Sequence, residues 1–366
     1  MEVESLNINE LATQFKTEIE NFKNTKVKCG IIGRSGTGKS SLINAIVGEE
    51  VSAVGETETT MEISKPIEHN GLIFYDLPGS STINFPLETY VEKMGIKNFD
   101  CVILVTSDRF YEDDLKLIDQ ILQQKVPIFT VRTKIDFSVD RALRRDISES
   151  ETCDSIRQDL VNNLKGYRIN GIYLTSADFP AKYDLPKLIS DISNSLSELK
   201  KQRFIADVSA VSESIIAEKR KLSEKLISKY AAVSALNGLN PIPGLDVGVD
   251  IGILAKLSVE IQKIYGLDNA QVSYASTLVS GKNKAVLAAR ALNFASKFIG
   301  KEAIIILLKK AGLSVASKSF SKWIPFVGSV IAAGIGYKLT SSFGEDMLDE
   351  AEDIALETFH NLKSEY

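Results

Sequence analysis

The chain has 366 residues, 44% hydrophobic and 25% charged, with a formal net charge of −5 at pH 7. That length leaves room for one large α/β domain and a second helical unit, and the negative charge speaks against a nucleic-acid partner. Only two histidines, His69 and His360, and three widely spaced cysteines, Cys29, Cys101 and Cys153, are present, so a histidine triad or a zinc site is not expected.

The first residues, Met1-Glu2-Val3-Glu4-Ser5, are acidic and lack an apolar signal core. Glu2 stands where N-myristoylation requires glycine, and no uncharged apolar run reaches the roughly 20 residues that span a bilayer. A cytoplasmic protein with buried, reduced cysteines is expected. Ile8, Leu11, Phe15, Ile19 and Phe22 then recur every three or four residues, predicting an amphipathic helix with Asn7 as its cap.

Val27-Lys28-Cys29-Gly30-Ile31-Ile32 reads as a strand and Ser41-Leu42-Ile43-Asn44-Ala45-Ile46-Val47 as a helix. Between them lies Gly33-Arg34-Ser35-Gly36-Thr37-Gly38-Lys39-Ser40, a phosphate-binding P-loop in its required strand–loop–helix context. The glycines bring backbone N–H groups close to phosphate, and the helix N-terminus adds its own donors and dipole. Lys39 is placed to reach the β- and γ-phosphates, and the Ser40 hydroxyl to sit on Mg2+. Residues 33–41 are therefore nucleotide-binding candidates.

Glu56-Thr57-Glu58-Thr59-Thr60 falls where P-loop GTPases carry the first switch, which makes Thr60 a magnesium-ligand candidate. Leu72-Ile73-Phe74-Tyr75 reads as a strand running into Asp76-Leu77-Pro78-Gly79. An aspartate at a strand end can hold magnesium through water, and the Gly79 N–H can sense the γ-phosphate. An ordinary Pro-Gly turn would not need that aspartate.

Cys101 to Thr106 and Val126 to Val131 are apolar runs of buried parallel strands. The second leads into Thr133-Lys134-Ile135-Asp136, a TKxD form of the guanine motif with threonine in place of the commoner asparagine. The Asp136 carboxylate would accept from the ring N–H and exocyclic amine of guanine, a donor pair that adenine lacks, while Lys134 lies along the ring. Arg141 to Lys165 reads as one exposed helical stretch whose Arg141, Arg144 and Arg145 form a solvated face. Ile172 to Thr175 supplies the last strand, and the Ser176-Ala177 turn is placed to cap the guanine carbonyl.

Strands alternate with helices from Val27 to about Leu199, predicting a doubly wound, mostly parallel α/β sheet of Ras-like P-loop type. Beyond it only helical spacing remains, with a stop expected at Gly238. Two Pro/Gly-opened apolar stretches, at Asn240–Gly248 and Trp323–Val330, are read as tight helix packing in preference to membrane insertion. Asp349 to Tyr366 is an acidic terminal helix or tail. The expected division is an N-terminal helix (1–24), a GTPase domain (25–199) and a C-terminal helical region (200–366).

Thr60-Met61-Glu62, Asp76-Leu77-Pro78-Gly79, Arg109-Phe110, Val131-Arg132-Thr133-Lys134, Tyr183-Asp184-Leu185-Pro186 and the two Ile-Pro stretches together resemble the immunity-related GTPases, a dynamin-like interferon-inducible group. The resemblance covers nearly the whole chain. It implies a Ras-like domain joined to an all-α domain built from both chain ends, which would give the N-terminal helix its partner. It also implies hydrolysis of GTP to GDP with magnesium, self-association through nucleotide domains, peripheral membrane contact and a defence role. Ser80 follows Gly79 where Ras-type proteins carry the water-positioning glutamine. By the resemblance, Glu58 takes that task and Arg109 acts across a dimer of nucleotide domains. The competing readings are a GTP-gated binding module with negligible hydrolysis and, against Asp136, an ATP-dependent enzyme.

Overall fold

The computed structural model describes residues 8–52, 65–77, 87–239, 251–310 and 327–365. In chain order, helix α1 (Ile8–Asn24) precedes strand β1 (Val27–Ile32), α2 (Lys39–Val47), β2 (Ile67–His69), β3 (Leu72–Leu77), α3 (Leu87–Lys93) and β4 (Cys101–Thr106). Next come α4 (Glu112–Gln123), β5 (Ile128–Arg132), α5 (Ile135–Leu143), α6 (Glu149–Asn163), β6 (Gly171–Leu174), α7 (Leu185–Ser195) and α8 (Glu198–Asp207). The remaining elements are helical: α9 (Glu213–Leu239), α10 (Ile251–Ile264), α11 (Asn269–Leu278), α12 (Gly281–Phe298), α13 (Lys301–Lys310) and α14 (Val327–Ser364).

The chain divides into two compact units, one of Thr25–Ile215 with Ser273–Ser280 and Phe359–Tyr366, the other of Met1–Asn24, Ile216–Val272 and Gly281–Thr358. In the first, the strands lie in the order β2-β3-β1-β4-β5-β6. Every pairing is parallel except that of β2, whose Ile67 faces Phe74 across an antiparallel edge. This is the α/β fold expected from the alternation of apolar runs and helical periods. Because side chains alternate along a strand, each face buries its own core. Cys29, Ile31, Phe74, Ile103, Phe129 and Val131 point to one side, with α2 and α7. Ile32, Leu77, Val102, Leu104 and Ile128 point to the other, with α4, α5 and α6. Cys29 and Cys101 are fully buried register partners with sulfurs 3.5 Å apart, free thiols as expected.

One expectation is corrected. The stretch from Arg141 to Lys165 is two helices, because Ser148 starts α6 anew. Its hydroxyl accepts from Glu151 N at 3.2 Å, and its own N–H donates to the Glu151 carboxylate at 3.1 Å. The terminal acidic stretch is helical, one of the two forms expected of it, and is the last part of α14 (Val327–Ser364). α9 runs through Gly238 to Leu239. Asn7, the stretch 240–248 and Trp323 lie outside the described residues.

In the helical unit, α1 buries Ile19 and Phe22. It is tied by Lys23 to Glu260 on α10 at 2.9 Å and by Glu18 to Lys229 on α9 at 3.1 Å. The N-terminal helix and most of the C-terminal half therefore build one all-α domain. Arg220 of α9 pairs with Asp349 (2.9 Å) and Glu352 of α14, and the Phe298 and Phe343 rings meet edge-on at 5.8 Å. Among the described residues no helix is long and apolar enough to cross a membrane.

Candidate functional site

β1 lies in the middle of the sheet, so the loop after it opens at the carboxyl ends of the strands, the edge where open α/β sheets take their ligands. Two glycines explain why the chain can turn there. A Cβ on Gly33 would lie 2.5 Å from the Val105 carbonyl oxygen, so only glycine lets the chain leave the sheet against β4. Gly38, with φ +84°, enters α2 from the left-handed region that side chains avoid.

Lys39 opens α2 and is buried, 8% exposed. Its Nζ donates to the carbonyls of Gly33 at 2.9 Å and Arg34 at 3.3 Å and lies 3.6 Å from Asp76 Oδ1. The loop thus holds the ammonium among oxygen acceptors, an arrangement into which phosphate oxygens can substitute. Burial pushes the Asp76 carboxyl above the ordinary carboxylate range, while the Lys39 charge pulls it back. Ser40 and Ser41 lie half-buried in the first turn of α2, whose leading N–H groups have no intrahelical acceptor. Ser40 and Asp76 supply a hydroxyl and a carboxylate, the hard oxygen donors that magnesium takes alongside waters and substrate phosphates.

The guanine-motif residues lie beside this loop. The Thr133 hydroxyl, 2.5 Å from Thr37 O and 3.1 Å from Thr106 O, ties the end of β5 to the glycine loop and to β4. Lys134 has left-handed backbone (φ +57°), and its ammonium donates to Gly36 O at 2.9 Å. A non-glycine residue held in that region marks a locally over-determined site. Asp136 sits half-buried in the first turn of α5. Ile135 N donates to Thr175 O at 3.3 Å, which brings the turn after β6 against the start of α5. In that turn Ser176 is buried, its hydroxyl accepting from Phe179 N at 3.3 Å, and Ala177 is half-buried. A carboxylate, a backbone turn and a lysine stem thereby border one edge of the loop. Together they can accept the donor pair of a purine ring and flank its plane.

Arg109 lies on the loop after β4. Its carbonyl accepts from the Thr106 hydroxyl at 2.9 Å, and the neighbouring Phe110 is buried in the core. The Arg109 guanidinium stands 5.1 Å from the centre of the Tyr111 ring, and that of Arg34 3.7 Å from the same ring. No motif signals Tyr111; an aromatic residue directly before the acidic first turn of α4 was the available cue. The structure brings together Gly33, Arg34, Ser35, Gly36, Thr37, Gly38, Lys39, Ser40, Ser41, Asp76, Arg109, Thr133, Lys134, Asp136, Ser176 and Ala177 around these strand ends. Glu58, Thr60 and Gly79 lie outside the described residues.

A family model described as interferon-inducible GTPase matches residues 1–308. The chain is similar to the Interferon-inducible GTPase 5 of Bos taurus, 27% identical over 366 residues, 96% of this chain and 78% of that one. It is also similar to the Interferon-inducible GTPase 1 of Mus musculus, 27% identical over 272 residues, 69% of this chain and 64% of that one. Among solved structures, Toc33 from Arabidopsis thaliana in complex with GDP and Mg2+ aligns over 54% of this chain and 93% of its own. That alignment has 19% identity and a TM-score of 0.35.

Proposed function

The chain belongs to the interferon-inducible GTPase family, and we propose that it works as a switch whose nucleotide units associate when loaded with GTP. GTP binding and hydrolysis to GDP and phosphate are its activity. In the proposed mechanism Lys39 and the loop N–H groups hold the β- and γ-phosphates. Ser40, Asp76 and Thr60 take the magnesium ion, which supplies charge neutralisation on the phosphates. Asp136, Lys134, Thr133 and the Ser176-Ala177 turn hold guanine. Glu58 orients the attacking water, the Gly79 N–H senses the γ-phosphate, and Arg109 reaches the site of a second copy to stabilise charge on the transferring group. Peripheral membrane contact and cell-autonomous defence are proposed on the family relationship alone.

The observation that supports this reading most is the setting of Lys39, buried among the Gly33 and Arg34 carbonyls and 3.6 Å from Asp76. The test is phosphate release and sedimentation at several protein concentrations with GTP, GDP and a non-hydrolysable GTP analogue. Turnover per molecule should rise with concentration, and association should require GTP or its analogue. Turnover independent of concentration, with no association, overturns the self-association reading.

A further inference from the structure

Two arginines around one tyrosine ring join the phosphate loop to the residue proposed to act across the dimer. Tyr111 is firmly seated. Its N–H donates to Asp114 Oδ2 at 2.9 Å, the preceding Phe110 is buried, and the Thr106 hydroxyl pins the turn by donating to Arg109 O at 2.9 Å. The backbone that carries the half-buried ring is therefore held just outside the strand ends.

Arg34 lies against that ring with its guanidinium 3.7 Å from the centre, and Arg109 approaches the same ring at 5.1 Å. A cation within about 6 Å of an aromatic face is attracted by the ring quadrupole, so one ring restrains both arginines. The backbone of Arg34 is committed on the other side. Its carbonyl accepts from Thr37 N at 3.3 Å, from the Thr37 hydroxyl at 2.8 Å and from Lys39 Nζ at 3.3 Å. Arg34 is thus held at both ends, by the phosphate-contact lysine through its carbonyl and by Tyr111 through its guanidinium. When phosphate oxygens take the Lys39 ammonium, the acceptor role of the Arg34 carbonyl changes, and the stacked guanidinium is the part of Arg34 able to carry that change outward. Two guanidiniums gathered on one ring carry like charges and repel each other. A shift of Arg34 on the ring therefore alters where Arg109 is most stable.

Given the roles proposed above for the P-loop and for Arg109, on which this step rests, we propose that Tyr111 is a positioning residue that aims Arg109, and that Arg34 couples this aim to occupancy of the phosphate loop. The part of Tyr111 in the reaction is indirect, through Arg109. The Asp114 carboxylate also attracts Arg34, and the phenol hydroxyl has no part in the proposed coupling.

The test uses the full chain with Y111A, Y111F, R109A and the double variant R109A/Y111A. GTP turnover is read as kcat and KM at high protein concentration, and GDP affinity by titration. Y111A should lower kcat about tenfold with little change in KM, as expected when a reacting group is misaimed while ground-state binding persists. Y111F should match the wild type, and Y111A should add no loss in the R109A background. Unchanged kcat in Y111A alongside a reduced kcat in R109A overturns the positioning role while leaving the Arg109 reading intact. An unchanged kcat in R109A overturns the Arg109 reading itself. Additive losses in the double variant, or weakened GDP binding in Y111A, show that the ring supports the loop structurally and also overturn the proposal.

Discussion

The Thr133 hydroxyl lies 2.5 Å from the Thr37 carbonyl oxygen, joining residues that are 96 positions apart in the chain. Through that bond the end of β5 holds the crest of the phosphate loop. The same hydroxyl also lies 3.1 Å from Thr106 O, so one threonine serves two neighbouring strand ends. Asparagine is the commoner residue in the motif; here the threonine hydroxyl reaches the Thr37 carbonyl directly. T133V removes only the donor. Losing a buried hydrogen bond costs about 1–2 kcal/mol, so GTP and GDP affinity should each fall about 5–30-fold. T133S should bind as the wild type does. Titration of both variants with each nucleotide checks this.

Asp136 offers the sharpest test of base identity. Its carboxylate has only acceptors, which suits the guanine N–H pair; an asparagine offers one donor and one acceptor instead. D136N should weaken GTP binding at least about 100-fold, because a site built to hydrogen-bond its ligand discriminates strongly when the pairing fails. The same change should improve binding of xanthosine triphosphate, which has a carbonyl where guanine has its amine. Competition of the two nucleotides for wild type and D136N is the measurement.

The parts of this site that were legible in the sequence are those whose function requires contiguous backbone. Gly33 to Ser40 and Asp76 could be read because a strand must end, a loop must turn and a helix must begin. Contacts made across the sheet edge leave no such trace. Nothing local to Arg34 announces Tyr111, and nothing near Thr133 announces Thr37. The break between α5 and α6 was hidden because Leu143 and Ile147 keep helical spacing through it. The capping pair Ser148–Glu151 and the left-handed Asp146 (φ +58°) decide the matter instead. The three-residue strand β2 is too short for alternation to show; β3 recruits it by antiparallel pairing.

Arg203 and Asp207 form a buried ion pair one helical turn apart, 5% and 2% exposed. The Arg203 Nε donates to Asp207 Oδ2 at 2.6 Å, and that oxygen also accepts from Gly71 N at 2.8 Å. The pair fastens α8 to the turn between β2 and β3, at the start of the strand that carries Asp76. Removing one partner strands a buried charge, which costs about 3–5 kcal/mol. D207A should lower the melting temperature by about 10 °C. The paired replacement R203M/D207L should recover part of that loss, since a packed apolar pair leaves no charge behind while the Gly71 N–H still lacks its acceptor. G71A should also destabilise, because its Cβ would stand 2.5 Å from Arg203 Cδ. Thermal unfolding of the four proteins separates the ion-pair and packing contributions.

Asp191 on α7 carries a distinct dependence on pH. Its Oδ2 accepts from the Tyr173 hydroxyl at 2.7 Å and is paired with Lys187 on the next turn. Partial burial pushes this carboxyl up, but the hydrogen bonds from Lys187 and Tyr173 and the lysine charge outweigh it, holding Asp191 below the ordinary carboxylate range. A carboxyl depressed in the folded state stabilises the fold above its unfolded value, about 3.9. That contribution disappears as the pH falls through the lower, folded value. Between pH 7 and pH 5 the stability difference between wild type and D191N should stay constant. Below about pH 4 it should shrink towards zero, because the wild-type carboxyl is then protonated as well. Denaturant midpoints of the two proteins, measured from pH 7 down to the acid transition, give this comparison. A difference that persists unchanged in acid would mean that Tyr173 and Lys187 hold Asp191 by packing and not through its charge.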